Sequence, residues 1–208
     1  MGSEDRRERR RVRAEQVLAY MVENVPPFLA QYVDQPRRCI LATRFGYDIC
    51  RHFNVKAEAV TVNTRALNAT MMECLQRNVS PEEAQELGAW EVAVDVDSVN
   101  PENTGYPGHL VLYMEDLRRC VDLDAQQFSR PAKRMVVPDA VQFQVTGPFL
   151  SGRGVQTFTL SEGGVLMYQR WTSTYDYRQA PNWKAPHEGT QTWLKRFISD
   201  MERDRVVV

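Results

Sequence analysis

The stretch from Cys39 to Phe53 constrains the fold more than any other part of the chain. Ile40, Leu41, Phe45, Ile49 and Phe53 recur there at three- and four-residue intervals, the signature of one apolar face of an α-helix. From Val55 to Leu67 the pattern changes to β-branched alternation (Val55, Val60, Val62), which predicts a strand directly after the helix. Two such elements in sequence, each with one apolar face, must bury those faces against something. Sheet-forming runs follow at Trp90 to Val96, His109 to Met114, Arg119 to Leu123, Val141 to Val145, Val155 to Leu160 and Val165 to Trp171. Glu162-Gly163-Gly164 joins the last two as a hairpin turn. Helices early and strands late predict an α+β fold, a helix packed on an antiparallel sheet.

Around this centre the punctuation is clear. Arg6 to Arg13 runs into Val17, Leu18, Met21 and Val22 at helical spacing, a helix with a solvated basic beginning that Pro26 and Pro27 should end. Residues 1–27 thus read as an N-terminal helical extension and residues 28–208 as one domain. Ser80, Pro81 and Glu83 form an N-cap signal for a short helix to Leu87. Asp97 to Gly108, rich in Asp, Asn, Pro and Gly, reads as a loop that delivers His109 onto the start of a strand. A polar loop from Thr172 to Gly189 precedes a last amphipathic helix, Thr190 to Met201, with Trp193, Leu194, Phe197 and Ile198 on one face. With 208 residues, 43% of them apolar, the chain is long enough for one substantial core.

Charge and composition remove several classes of function. The 26 basic and 27 acidic residues nearly cancel, so no net field points to nucleic acid or to a membrane surface. Six arginines lie between positions 6 and 13, but Glu8 interrupts them and no aromatic residues are interleaved, which argues against a nucleic-acid arm. No apolar run approaches the roughly 20 residues that cross a bilayer, and the charged start does not resemble a signal peptide, so a cytoplasmic location without a membrane partner is expected. Cys39, Cys50, Cys74 and Cys120 are widely spaced and read as reduced thiols. No pair has CxxC spacing and the only histidines are His52, His109 and His187, so neither a structural metal nor another cofactor is expected.

Chemistry is suggested at Cys39. It falls in the first turn of its helix, where unpaired backbone N–H groups and the helix dipole favour an anion, and a thiol needs such an environment plus a base to act as a nucleophile. His109 could be that base, and Asp122 could orient it. A turn near Glu115-Asp116-Leu117 pairs the two strands so that the His109 and Asp122 ends meet, at about 5 Å between cross-strand neighbours. Each residue also has a plainer role: free cysteine is commonly buried packing, the role assigned to Cys50, Cys74 and Cys120. A histidine at a strand start often bonds a loop, and an aspartate often forms a turn. His52, at the C-terminal end of the cysteine helix, and His187, beside Pro186, look local.

The order of these segments resembles the transglutaminase-like (papain-like) cysteine superfamily: Cys39 in RRCILATRFGYDICRHFNVKAEAV, His109 in GYPGHLVLYM and Asp122 in RRCVDLDAQQF. The resemblance spans Arg38 to Phe128 and implies a papain-like fold, with Cys39 as nucleophile, His109 as general base and Asp122 as orienting acid. Asp124 is the rival for the third role, two residues on along the same face; Val121-Asp122-Leu123 looks more like the strand-ending aspartate of that group. The neighbours Arg37, Arg38 and Leu110 depart from the Gly or Trp near the nucleophile and the aromatic residue after the histidine, which argues against transglutamination. The implied reaction is acyl transfer on a peptide or protein amide, ending in hydrolysis, transfer to an amine or deamidation. Gln35 is the candidate oxyanion donor and Trp90 the candidate wall of the cleft. The alternative is a non-catalytic binding or assembly protein of the same fold, meeting its partner through the basic first helix or the Trp183 and Trp193 region.

Overall fold

The computed structural model describes residues 2–32, 38–94, 108–172, 177–184 and 189–204. Its centre is β1 (Ala57–Leu67), an 11-residue strand long enough to pair with three others. The first half of β1 pairs with β3 (His109–Met114), and the second half with β2 (Glu91–Val94). Its other edge pairs with β7 (Val165–Arg170). Outward from these lie β4 (Arg119–Asp122), β5 (Val141–Gln144) and β6 (Val155–Thr159), and every pairing is antiparallel. The path β5-β4-β3-β1-β7-β6 is strongly curled: the rings of Phe143 on β5 and Phe158 on β6, the two ends of that path, are 5.5 Å apart. The β6–β7 hairpin turns where expected, with Gly163 at φ +81°, a conformation glycine adopts without the clash a Cβ brings.

Alternation along the strands divides the buried residues into two cores. Leu112 and Met114 of β3 and Val121 of β4 face the helices α1 (Ser3–Tyr32), α2 (Cys39–His52) and α5 (Thr190–Arg203), whose contributions include Leu18, Met21, Phe45, Ile49 and Phe197. Val60 and Val62 of β1, Val111, Cys120, Phe143 and Tyr168 face the inside of the curl. Gly46 sets how closely α2 sits on the sheet, because a Cβ there would lie 2.8 Å from Leu123 Cδ1 and 3.2 Å from Leu112 Cδ2. The architecture is therefore α+β, helices packed on an antiparallel sheet as the sequence pattern predicts, with the sheet itself curled nearly closed.

Two elements differ from expectation. The first helix does not end at Pro26 and Pro27 but continues to Tyr32. Proline inside a helix costs about 3 kcal/mol through the lost donor and the ring clash. Val25 and Leu29 are buried on either side of the pair, and Phe28 stacks on Phe45 at 5.6 Å. Two such costs are on the order of 6 kcal/mol. Burial of Val25, Leu29 and the partly buried Phe28, at about 1.5–3 kcal/mol per large apolar side chain, is of the size needed to offset them. From Ala14 onward the inward face of α1 belongs to the same core as α2 and α5. The second difference is α3 (Ala69–Arg77), a helix where no element is expected from the sequence: Cys74 is buried with Met71 packed against its cluster, while Leu75 is 57% exposed. It is started by Asn68, whose side chain accepts the Met71 N–H and the Trp90 N–H and donates to the Gly88 and Lys133 carbonyls. The short α4 (Pro81–Glu86) begins as expected, with the Ser80 hydroxyl accepting the Glu83 N–H.

Candidate active site

His109 is the first residue of β3, and the register places it beside Val62 of β1, on the inner face of the sheet. The helix bearing Cys39 covers the outer face, so the two can meet only past the end of the strand. Two anchors bring the start of α2 there. Thr43, one turn beyond Cys39, donates its hydroxyl to the carbonyl of Leu110 at 3.0 Å, next to His109. Arg38, the N-cap residue, forms an ion pair with Asp124 at 3.4 Å, just past the end of β4, and its backbone N–H donates to the same carboxylate.

Around the imidazole the polar groups are few and specific. Nε2 lies 2.7 Å from Asp122 Oδ2, with both side chains essentially without exposure. The Tyr168 hydroxyl donates to the same carboxylate oxygen at 2.8 Å, and the Asp124 backbone N–H donates to Asp122 Oδ1 at 3.0 Å. On the other side of the ring, Nδ1 faces Gln127 Nε2 at 3.0 Å. Phe128 stands edge-on to the ring at 5.1 Å and Tyr168 lies roughly parallel at 6.4 Å. Burial alone would lower the pKa of His109. The charge and hydrogen bond of Asp122, followed by a hydrogen bond and charge from Cys39, overcome it and raise the ring to about 10. Tyr168 is held well above its ordinary range, first by burial and then by Asp122, so its hydroxyl remains a donor.

The choice between the two aspartates follows from geometry. Leu112 pairs with Val121, and that register continued to the strand end would set His109 opposite Asp124, with Asp122 on the diagonal. The ring takes the diagonal partner, because β4 ends at Asp122 and Asp124 turns toward Arg38. Asp124 is nevertheless buried, and its Oδ2 has no hydrogen-bond partner among the described residues. Burial and the neighbouring Asp122 raise it to about 6, against the opposing pull of Arg38 and His109.

The four thiols are all reduced and all buried, yet they are not alike. Cys50 lies in the helical core, Cys120 inside the curl and Cys74 in a small cluster with Ala84 and Ala89. Burial pushes Cys50 and Cys120 up to about 12, the signature of inert packing thiols. Cys39, 7% exposed, belongs to none of these clusters among the described residues and has an imidazole as its neighbour.

Other sequence candidates lie elsewhere. Trp90 is 38% exposed just before β2, under the Lys133 ammonium at 4.4 Å, and none of its contacts among the described residues is with Cys39, His109 or Asp122. His52 pairs with Glu202 at 3.1 Å on the surface. Gln35 and His187 lie outside the described residues. Gln127 and Tyr168 were not singled out from the sequence. Tyr168 sits in an apolar strand where an aromatic residue ordinarily means core, and its partner is 46 positions away. Gln127 had a faint signal, its place just after the two aspartates. Among the described residues no helix is long and apolar enough to cross a membrane. Searches against family models, curated proteins and solved structures find no match to this chain.

Proposed function

We propose that the protein is a cysteine-nucleophile hydrolase or acyl transferase of transglutaminase-like type, acting on a peptide or protein amide through Cys39, His109 and Asp122. What carries the proposal is the contrast among the thiols: three lie in apolar clusters, and Cys39 stands at a helix start against an imidazole that a carboxylate holds. Nε2 is committed to Asp122, so Nδ1 is the nitrogen left to take the thiol proton. The resulting thiolate attacks the amide carbon and a C–S bond forms. The tetrahedral oxyanion is met by first-turn amides of α2, that of Cys39 included. On collapse the C–N bond breaks and His109 returns its proton to the departing amine. Water or a second amine then attacks the thioester, giving hydrolysis or transfer, and restores the thiol.

Asp122 fixes the ring orientation and balances its charge. Tyr168 and the Asp124 amide hold Asp122 in turn, which leaves the carboxylate little freedom to move away from the ring.

The test separates the four thiols. Iodoacetamide near pH 6 followed by peptide mapping should modify Cys39 ahead of Cys50, Cys74 and Cys120, and His109→Gln should abolish that advantage. An activated ester such as p-nitrophenyl acetate should leave an acetyl group on the Cys39 peptide in the wild type and not in His109→Gln. Equal slow labelling of all four thiols, with no acetyl adduct, would overturn the proposal and favour the non-catalytic binding protein.

A further inference from the structure

The side of His109 that must receive the Cys39 proton is already occupied. Gln127 Nε2 lies 3.0 Å from Nδ1, and the same nitrogen donates to the Asp124 carbonyl at 3.1 Å. That second contact settles which end of the amide faces the ring. If the amide were reversed, its oxygen would point at a carbonyl oxygen, two acceptors in contact, so the NH2 end faces both groups. One N–H thus goes to Asp124 O and the other to Nδ1, which can accept it only while it carries no proton.

We infer that Gln127 is a positioning residue whose N–H, donated to the Nδ1 atom of His109, opposes protonation of that atom and so weakens the Cys39 thiolate–imidazolium pair until the amide is displaced. This rests on the assignment of Cys39 and His109 as the reacting pair. Transfer of the thiol proton to Nδ1 would set a ring N–H against the amide N–H, so ion-pair formation requires Gln127 to swing away. Gln127 is half-buried whereas the ring is fully buried, and it sits on a single turn of 3-10 helix (Ala125–Phe128), so its side chain has room to move. The other groups facing the ring act differently. Asp122 on β4 favours the charged ring, as does Cys39 on α2. Asp124 lies beyond with Arg38 offsetting its charge, and Tyr168 on β7 donates only to Asp122. Among the described residues Gln127 is the group whose hydrogen bond opposes protonation at Nδ1. A substrate amide whose carbonyl accepts the Gln127 N–H would release the ring as it binds, coupling thiol activation to occupancy of the site.

The measurement is the thiolate absorbance near 240 nm through a pH titration, with Cys39→Ala subtracted to remove the other three thiols, and the rate of Cys39 alkylation at pH 6. Gln127→Met, close in volume and without a donor, should move the thiolate midpoint to lower pH and speed alkylation about five- to tenfold, the worth of one hydrogen bond. Gln127→Ala serves as a second variant should methionine crowd the ring. The gain should vanish when either change is combined with His109→Gln. An unchanged or slower rate in both variants, with His109→Gln still slowing the wild type, overturns the role of Gln127 and leaves the reacting pair intact. A gain that persists without His109 also overturns it. Equal rates in wild type and His109→Gln would instead remove the functional assignment on which the inference rests.

Discussion

The two ends of β3 make opposite uses of polar residues. At the His109 end, an imidazole, two carboxylates and a phenol are buried beside a half-buried amide, each oriented by a neighbour. At the Met114 end, a cavity of about 550 Å³ opens between α2 and the sheet, lined by Tyr47, Arg51, Lys56, Glu58, Tyr113 and Glu115. Its charges are solvated: Lys56 and Glu115 form a 3.5 Å ion pair with side chains 59% and 61% exposed. The open, solvated cavity is therefore the poorer candidate for chemistry. Charges in water interact weakly, whereas the same groups out of water perturb one another strongly, and that perturbation is what a reacting thiol requires.

The comparison can be broken most decisively at His109. His109→Ala leaves the Asp122 carboxylate buried beside a cavity and should cost about 3–5 kcal/mol in urea unfolding, the penalty for stranding a buried charge. The same pair has a pH signature. The folded His109 pKa, raised to about 10, lies above the unfolded value, so the stability it contributes is fully present below about pH 6.5 and is lost as pH rises through about 10. The urea midpoint of the wild type should fall over that window more steeply than that of His109→Gln; parallel curves would show that the pair is not coupled. Next in size is Tyr168→Phe, which removes one donor from Asp122 and should cost about 2 kcal/mol, the range for a buried bond to a charged acceptor. A change within error would show that the hydroxyl does not hold the carboxylate. The smallest effect belongs to the opposite end: Lys56→Ala should change stability by about 0.5 kcal/mol or less, and a loss above 1 kcal/mol would overturn the contrast.

Much of this was legible in the chain. The periodicity of Ile40, Leu41, Phe45 and Ile49 and the alternation that follows correspond to α2 and β1, and the Glu115 to Leu117 turn brings the His109 and Asp122 ends together as expected. Pro26 and Pro27 misled because a local cost was read without the burial of Val25 and Leu29 that offsets it. Tyr168 could not be found, since β1 and β3 lie between its strand and β4 along the sheet, and it meets Asp122 only through the inside of the curl. Gln127 was obscured because a glutamine in a short turn is ordinarily a surface residue.

By itself the sequence determined what lies within a few turns or one hairpin of itself: a helix opening on Cys39, a strand opening on His109 and two aspartates on its neighbour. Those depend on backbone periodicity and short loop closure, which act over a dozen residues or so. The tertiary structure decided which aspartate takes the ring, which hydroxyl holds it, what occupies Nδ1 and which of four buried thiols escapes an apolar cluster. Each of these depends on the curl of the sheet and on how closely Gly46 lets α2 approach it, distances that only the assembled packing sets.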